Sequence, residues 1–292
     1  MERNELTLDI QNLEKTYNGN VEAVRGIDVK LDKQRIYALL GPNGAGKTTV
    51  LKSILGLINY SGSILVLGKP VDEVREMISF VPEEKNLYEN LDIENTLKLN
   101  RRISDRFDEK QAREYIAHYK LPYAKKIRTF SNGMKTAMYI SLALSTDADF
   151  YILDEPTWGL DPIMRDDTLE FIREKVILGK TVLYTSHIIP EVEKIADEFF
   201  IMINGKVKYS GDLDGIKEKY RIVKMPFDKK ELDNCMDCLA AAKELNRLSI
   251  IVENSESTER FYKTDEATIS IPDLEEFFQI LVRSENRNSR LA

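Results

Sequence analysis

Apolar residues recur along this chain with two different periods. Near the start, Leu6, Leu8 and Ile10 fall on one side while Thr7, Asp9 and Gln11 fall on the other, a period of two that predicts a half-buried strand. Residues 24–31 predict a second strand. Ile-Tyr-Ala-Leu-Leu at 36–40 is an unbroken apolar run that stops at glycines, the pattern of a parallel strand buried on both faces. After the glycines the spacing changes, and Val50, Leu51, Ile54, Leu55 and Ile58 predict a helix over 48–58. Residues 92–119 are charged, amphipathic and helical in pattern. Residues 150–153 and 181–184 predict two more buried strands, and Asn204-Gly205 between apolar runs at 199–203 and 206–209 predicts a hairpin. Strands alternating with helices imply an α/β fold, with a mainly parallel central sheet behind N-terminal antiparallel strands.

The pattern breaks near 220–226, where a boundary is expected. Beyond it the chain predicts a helix (232–245), a strand (248–252), a polar loop with Asn254, Ser255 and Ser257, a strand (267–271) and a helix (274–282). Residues 285–292 are expected to be disordered. The organisation is therefore a large unit over 1–220 and a small α+β appendage over 221–292.

The length of 292 residues suits one large domain with an appendage, and 42% apolar residues suffice for a core. A net charge of −7 argues against a nucleic-acid partner, and the short basic run Lys125, Lys126, Arg128 reads as a solvated face. No stretch reaches the roughly 18 apolar residues that a membrane-spanning helix needs, and residues 1–5 lack the apolar core of a signal peptide. A cytoplasmic chain is expected, meeting a membrane only through a partner. The two cysteines, Cys235 and Cys238, are half a zinc site at most and read as incidental thiols on a helix.

Gly41-Pro42-Asn43-Gly44-Ala45-Gly46-Lys47-Thr48 matches the phosphate-loop pattern in full, after a buried strand and before a helix. Glycines let backbone amides close around phosphate oxygens, and the helix N-terminus adds its positive end. Lys47 would reach the β- and γ-phosphates of a nucleotide, and the Thr48 hydroxyl would ligate Mg2+. Residues 150–153 end in Asp154-Glu155-Pro156. Two carboxylates at the end of a buried strand are costly without a cation. Asp154 would hold Mg2+ through water, and Glu155 would act as general base on the attacking water.

With these residues in place, the sequence closely resembles the ATP-binding subunits of ATP-binding-cassette transporters, over residues 5–220 and in the family's motif order. The resemblance implies that Tyr17 stacks on adenine and that Thr49 belongs with the phosphate loop. It places the glutamine loop at Phe80-Val81-Pro82-Glu83-Glu84 and a helical subdomain at about 84–145. The signature falls at Phe130-Ser131-Asn132-Gly133-Met134, the dimer-contacting loop at Gly159-Leu160-Asp161, and the switch histidine at His187. It also implies a composite site, in which Ser131 and Gly133 cap ATP held by a second cassette, from an identical or a related subunit. Transmembrane permease subunits on other chains would dock where Leu87, Tyr88 and Leu91 form an apolar groove, placing the chain at the inner face of the membrane.

Three departures stand out. Glu83 replaces the glutamine, and a carboxylate is also a Mg2+ ligand. Asn132 and Met134 alter the signature while Ser131 and Gly133 are intact, a variation similar to that of bacterial exporters and drug-resistance transporters. Trp158 stands where a small residue is usual, as an interface anchor or as core packing. The bland alternatives are a strand-edge aromatic for Tyr17, a helix cap for Ser131 and a surface position for His118. Long insertions of DNA-repair members and the double cassette of translation factors are absent. A cassette that binds ATP without much hydrolysis is the remaining alternative.

Overall fold

A computed structural model describes residues 6–227, 238–244, 246–256, 258, 262 and 266–291. Strands β1 (Leu6–Tyr17) and β2 (Val21–Asp32) form an antiparallel pair, followed by β3 (Ile36–Leu40), helix α1 (Lys47–Ile54), β4 (Ser61–Val66) and β5 (Ile78–Val81). The helical region holds α2 (Ile93–Ile103), α3 (Glu109–His118) and α4 (Asn132–Leu144). Then come β6 (Phe150–Asp154), α5 (Pro162–Ile177), β7 (Thr181–Ser186), α6 (Ile189–Ile195), β8 (Glu198–Ile203), β9 (Lys206–Gly211) and α7 (Leu213–Lys219). The C-terminal part contains β10 (Tyr220–Pro226), β11 (Cys238–Glu244), β12 (Arg247–Glu253), β13 (Thr268–Ser270) and α8 (Leu274–Leu291).

The central sheet has the order β5-β6-β7-β3-β8-β9, and every neighbour pair is parallel except the β8–β9 hairpin. All residues of β3, β6 and β7 are buried, which is why they read as apolar runs without alternation. The hairpin turns at Asn204 and Gly205, with φ of 49° and 78°, the left-handed pair a two-residue turn requires. A separate sheet, β2-β1-β4, packs its apolar side (Leu8, Ile10, Leu13, Leu31) against Val50, Leu51 and Ile54 of α1 and Phe200 and Met202 of β8. The other face of the central sheet buries Ile140 and Leu144 of α4, Leu169 and Ile172 of α5 and Val192 of α6. α2 to α4 enclose a core of their own around Leu97, Ile116 and Met138. Asp92, Asp108 and Ser131 cap these three helices, each accepting a backbone N–H from its first turn.

The C-terminal part differs from expectation in four ways. The segment 220–226, read as a break, is strand β10. The predicted helix 232–245 lies outside the described residues over 232–237, and Cys238–Glu244 is strand β11. Alanines 240–242 favour a helix in isolation, but pairing with Ile250 and Ile251 overrides that weak preference. Cys238 opens this strand and is disulfide-bonded, so it is not an incidental thiol on a helix; Cys235 lies outside the described residues. Finally, α8 continues through Leu291, where disorder was expected.

The sheet β11-β12-β10-β13 carries α8 on one face. Phe277 of α8 meets Tyr209 of β9 edge-to-face and Tyr220 of β10 at a tilt, with ring centroids 5.3 and 5.4 Å apart. Lys208–Glu285 (2.6 Å) is an ion pair between β9 and α8. The small sheet thus shares a core with the large one through Ile201, Ile203, Ile222 and Phe277.

Candidate functional site: the carboxyl edge of the central sheet

Because β3, β5, β6 and β7 run parallel, the loops that follow them leave one edge of the sheet. The ladder sets their ends side by side: Leu40 pairs with Ser186, Asp154 with Thr185 and Val81 with Leu153. The phosphate-loop residues follow β3, Glu83 follows β5, Glu155 follows β6 and His187 follows β7. Ligands of open α/β sheets bind at this edge. A cavity of about 390 Å3 opens there, lined by Ala23, residues 43–49, Glu83, Asp154 and Glu155.

The phosphate-loop residues are wedged against their own protein on one side. A Cβ on Gly41 would lie 2.3 Å from the Met202 carbonyl oxygen, and one on Gly46 2.3 Å from that of Ala23. Gly46 also takes φ of 106° immediately before α1, a left-handed geometry that glycine adopts without strain. At Gly44 (φ 80°) nothing lies within 4 Å of the Cβ position, so the loop is open on its cavity side. The free amides of the first turn of α1 are donors suited to an anion there. Lys47 is buried and donates from Nζ to the carbonyls of Gly41 (2.7 Å) and Pro42 (3.3 Å). Burial lowers its pKa, while Glu155, Asp154 and Glu83 pull it back up.

Opposite the loop, Thr48 Oγ1 donates to Asp154 Oδ2 at 3.3 Å, and Thr185 Oγ1 donates to Asp154 Oδ1 at 2.5 Å. The Thr185 hydroxyl accepts in turn from the backbone N–H of Glu155 at 3.0 Å. Glu155 holds φ of 47°, a left-handed value that non-glycine residues keep only where surrounding contacts enforce it. Its carboxylate is buried, and Oε2 lies 2.9 Å from Nδ1 of His187, whose ring is half-exposed. Hard oxygen ligands suit Mg2+, which typically takes one or two protein ligands and completes its shell with phosphate and water. The Thr48–Asp154 pair and the nearby Glu83 fit that pattern. Among the described residues no cluster of three or more His, Cys, Asp or Glu could hold a metal alone.

The remaining expected residues lie elsewhere. Tyr17 does not line the cavity, and Lys15 Nζ stands 5.0 Å over its ring. Ser131 caps α4 through the Met134 N–H, and Asp161 caps α5 through Ile163 and Met164. Asn132 lines a second cavity of about 340 Å3 with Lys85, Lys135 and Trp158. Gly133 abuts the next loop so closely that a Cβ would lie 2.5 Å from the Gly159 carbonyl oxygen. Trp158 is 50% exposed, which excludes core packing, and its carbonyl accepts from Thr136 Oγ1 at 3.0 Å. Leu87 and Tyr88 line an apolar groove of about 300 Å3 with Phe80, Leu99 and Ile103, a groove that Leu91 does not reach. His118 is surface-exposed and pairs with Asp167 at 2.8 Å.

Three residues escaped sequence reasoning. Thr185 stands two residues before His187, but its link to Asp154 spans two strands. Lys85 follows two glutamates and looks like a solvated charge, yet it is half-buried with its pKa lowered to about 8 by loss of hydration. Glu191 resembles an ordinary helix acid but is buried. It accepts from Thr157 Oγ1 (2.8 Å) and Ser186 Oγ (3.3 Å) and faces Arg165 Nε at 3.3 Å. Burial raises its pKa.

A family model described as ABC transporter matches residues 24–158. The ABC transporter ATP-binding protein YtrB of Bacillus subtilis (strain 168) is 31% identical over 226 residues, covering 76% of this chain and 77% of the relative. The Nod factor export ATP-binding protein I of Burkholderia orbicola (strain AU 1054) is 36% identical over 214 residues, 68% of each chain. A solved ATP-binding subunit of an ABC transporter superposes with a TM-score of 0.67 at 30% identity, over 72% of this chain and 92% of that one. Among the described residues no helix is long and apolar enough to cross a membrane. The phosphate-loop cavity, the acidic strand end that faces it and these likenesses agree: the chain belongs to the ABC transporter ATP-binding subunits, ATPases that power transport through membrane partners.

Proposed function

We propose that this chain binds Mg·ATP at the carboxyl edge of its central sheet and powers export through separate permease subunits, by ATP-dependent pairing of two cassettes. One observation carries the reading: the glycine cradle, the Thr48–Asp154 pair and the Glu155–His187 pair meet at one edge. Gly41 to Gly46, with Thr48 and Thr49, hold the phosphates through backbone amides, and Lys47 exchanges its carbonyl partners for phosphate oxygens. Thr48, Asp154 and Glu83 would hold Mg2+, which when bound offsets the charge that develops on the phosphate oxygens. Glu155 takes a proton from the attacking water. The water oxygen bonds to the γ-phosphorus as the bond to the β–γ bridging oxygen breaks, giving ADP and phosphate. His187 orients the Glu155 carboxylate and offers its exposed side to the γ-phosphate.

Tyr17 would stack on adenine. Ser131, Asn132, Gly133 and Asp161 would serve the site of a second cassette, identical or related. Their absence from the lining of this chain's own cavity supports that role. The groove beside Leu87 and Tyr88 would receive a permease segment and hold the chain at the inner face of the membrane. Export is supported by the likeness to the Nod factor export ATP-binding protein. Residues 1–220 would form the ATPase unit and 221–292 an accessory unit with its own sheet.

Size exclusion of Glu155→Gln with and without Mg·ATP, beside wild-type ATPase rates, tests this reading. An ATP-dependent dimer of the variant, with hydrolysis present in wild type and lost in the variant, supports a two-cassette site. No dimer and no wild-type hydrolysis would count against this chain as a self-pairing motor.

A further inference from the structure

Lys85 sits in the loop between β5 and α2. Its ammonium donates to the carbonyls of Glu83 (3.2 Å), Asp154 (3.1 Å) and Pro82. An ammonium has three donors, and here all three end on backbone oxygens. Two of those oxygens belong to the loop that carries Glu83. The third ends β6, one residue before Glu155.

This arrangement is unlike that of Lys47. Lys47 lines the nucleotide cavity, with its donors on the carbonyls of Gly41 and Pro42. Lys85 does not line that cavity, so its charge is not aimed at phosphate. It lines the neighbouring cavity beside Asn132 and Trp158.

Ladder pairing between β5 and β6 ends at Val81 and Leu153. Beyond it, the backbone bonds from Asn86 to Glu84 and from Leu87 to Lys85 are internal to the loop. The bond from Lys85 to the Asp154 carbonyl crosses to β6. It continues the association of the two strand ends past the last backbone pair, with a side chain in place of a ladder bond.

We propose that Lys85 is a positioning residue for hydrolysis: a three-carbonyl clamp that holds the Glu83 loop on the end of β6 and so sets Glu83 against the Asp154–Glu155 pair. The inference rests on the hydrolytic roles proposed above for those carboxylates. A loop displaced by about 1 Å near a reacting centre can cost about a hundredfold in rate.

The test uses the full chain and compares wild type, Lys85→Met, which keeps the apolar stem without donors, and Lys85→Arg, which keeps donors. Hydrogen exchange of amides in residues 82–88, without nucleotide, reads the clamp directly. In Lys85→Met that exchange is expected to rise about tenfold or more as local opening becomes easier, with α5 and β7 unchanged. Its kcat is expected to fall about a hundredfold with KM for ATP nearly unchanged. Lys85→Arg is expected to recover part of both.

Unchanged exchange at 82–88 in Lys85→Met overturns the clamp. Faster exchange with unchanged kcat overturns its role in hydrolysis. If Lys85→Met does not fold, Lys85→Gln carries the same comparison. A wild-type chain without hydrolysis would defeat the hydrolytic reading alone, since the exchange experiment still decides whether Lys85 clamps the loop.

Discussion

Nδ1 of His187 lies 2.9 Å from Oε2 of Glu155, joining the end of β7 to the end of β6. A buried carboxylate whose partner is a half-exposed ring is oriented from the solvent side. Replacing His187 by Ala removes that orientation without adding bulk. The expected outcome is a fall in kcat of about 10² to 10⁴, the range of positioned acid–base groups, with ATP affinity retained. Single-turnover hydrolysis beside equilibrium nucleotide binding checks it; parallel losses in both would point to a collapsed site.

Thr185 couples the two acids. Its hydroxyl donates to Asp154 Oδ1 and accepts from the Glu155 N–H, in a fully buried position. Thr185→Val keeps the shape and strands both partners. An unsatisfied buried group costs about 1–3 kcal/mol, so urea unfolding should show a loss of about 2 kcal/mol together with slower hydrolysis. A variant as stable as wild type would mean that water replaces the hydroxyl.

Glu191 makes stability depend on pH in a direction unusual for an acid. Burial raises its pKa above the ordinary 4.5, so the folded chain holds this proton more tightly than the unfolded chain. Its contribution is therefore greatest below 4.5 and is lost as pH rises through the raised folded value. Glu191→Gln removes that dependence. Relative to wild type, the variant should gain stability as pH climbs from about 4.5 toward neutrality, measured by denaturant unfolding at several pH values. A difference that is flat with pH would show that Arg165 fully compensates the buried charge.

Gly46 combines a left-handed φ of 106° with a Cβ position 2.3 Å from the Ala23 carbonyl oxygen. Gly46→Ala must distort either the loop or β2. Left-handed strain alone costs about 1–3 kcal/mol, so a comparable loss of stability is expected, with nucleotide binding abolished. Thermal melting and a fluorescent-nucleotide titration check both halves.

Much of the site was legible locally. The phosphate loop, the acids at the end of β6 and His187 after β7 each stand in a short segment whose residue types suit only a few structures. Apolar runs without alternation announced β3, β6 and β7, because a strand buried on both faces admits no polar side. The hairpin at Asn204-Gly205 was equally plain, since its backbone angles demand those residues.

Beyond residue 220 local pattern found β12, β13 and the start of α8 but missed β10 and β11. Alanines 240–242 carry helical preference, but their conformation follows from the isoleucines of β12 across the sheet and from α8 behind it. Local pattern also could not show that Lys85 ends on the carbonyl of residue 154, that Thr185 joins two carboxylates, or that Glu191 is buried. Composition and spacing determined that β3, β6 and β7 are buried strands and which residues can hold phosphate, because those properties are set within a few residues of chain. Parallel pairing of strands distant in sequence decided which polar groups share a dry edge, because hydrogen bonds and desolvation depend on neighbours brought together only in the folded chain.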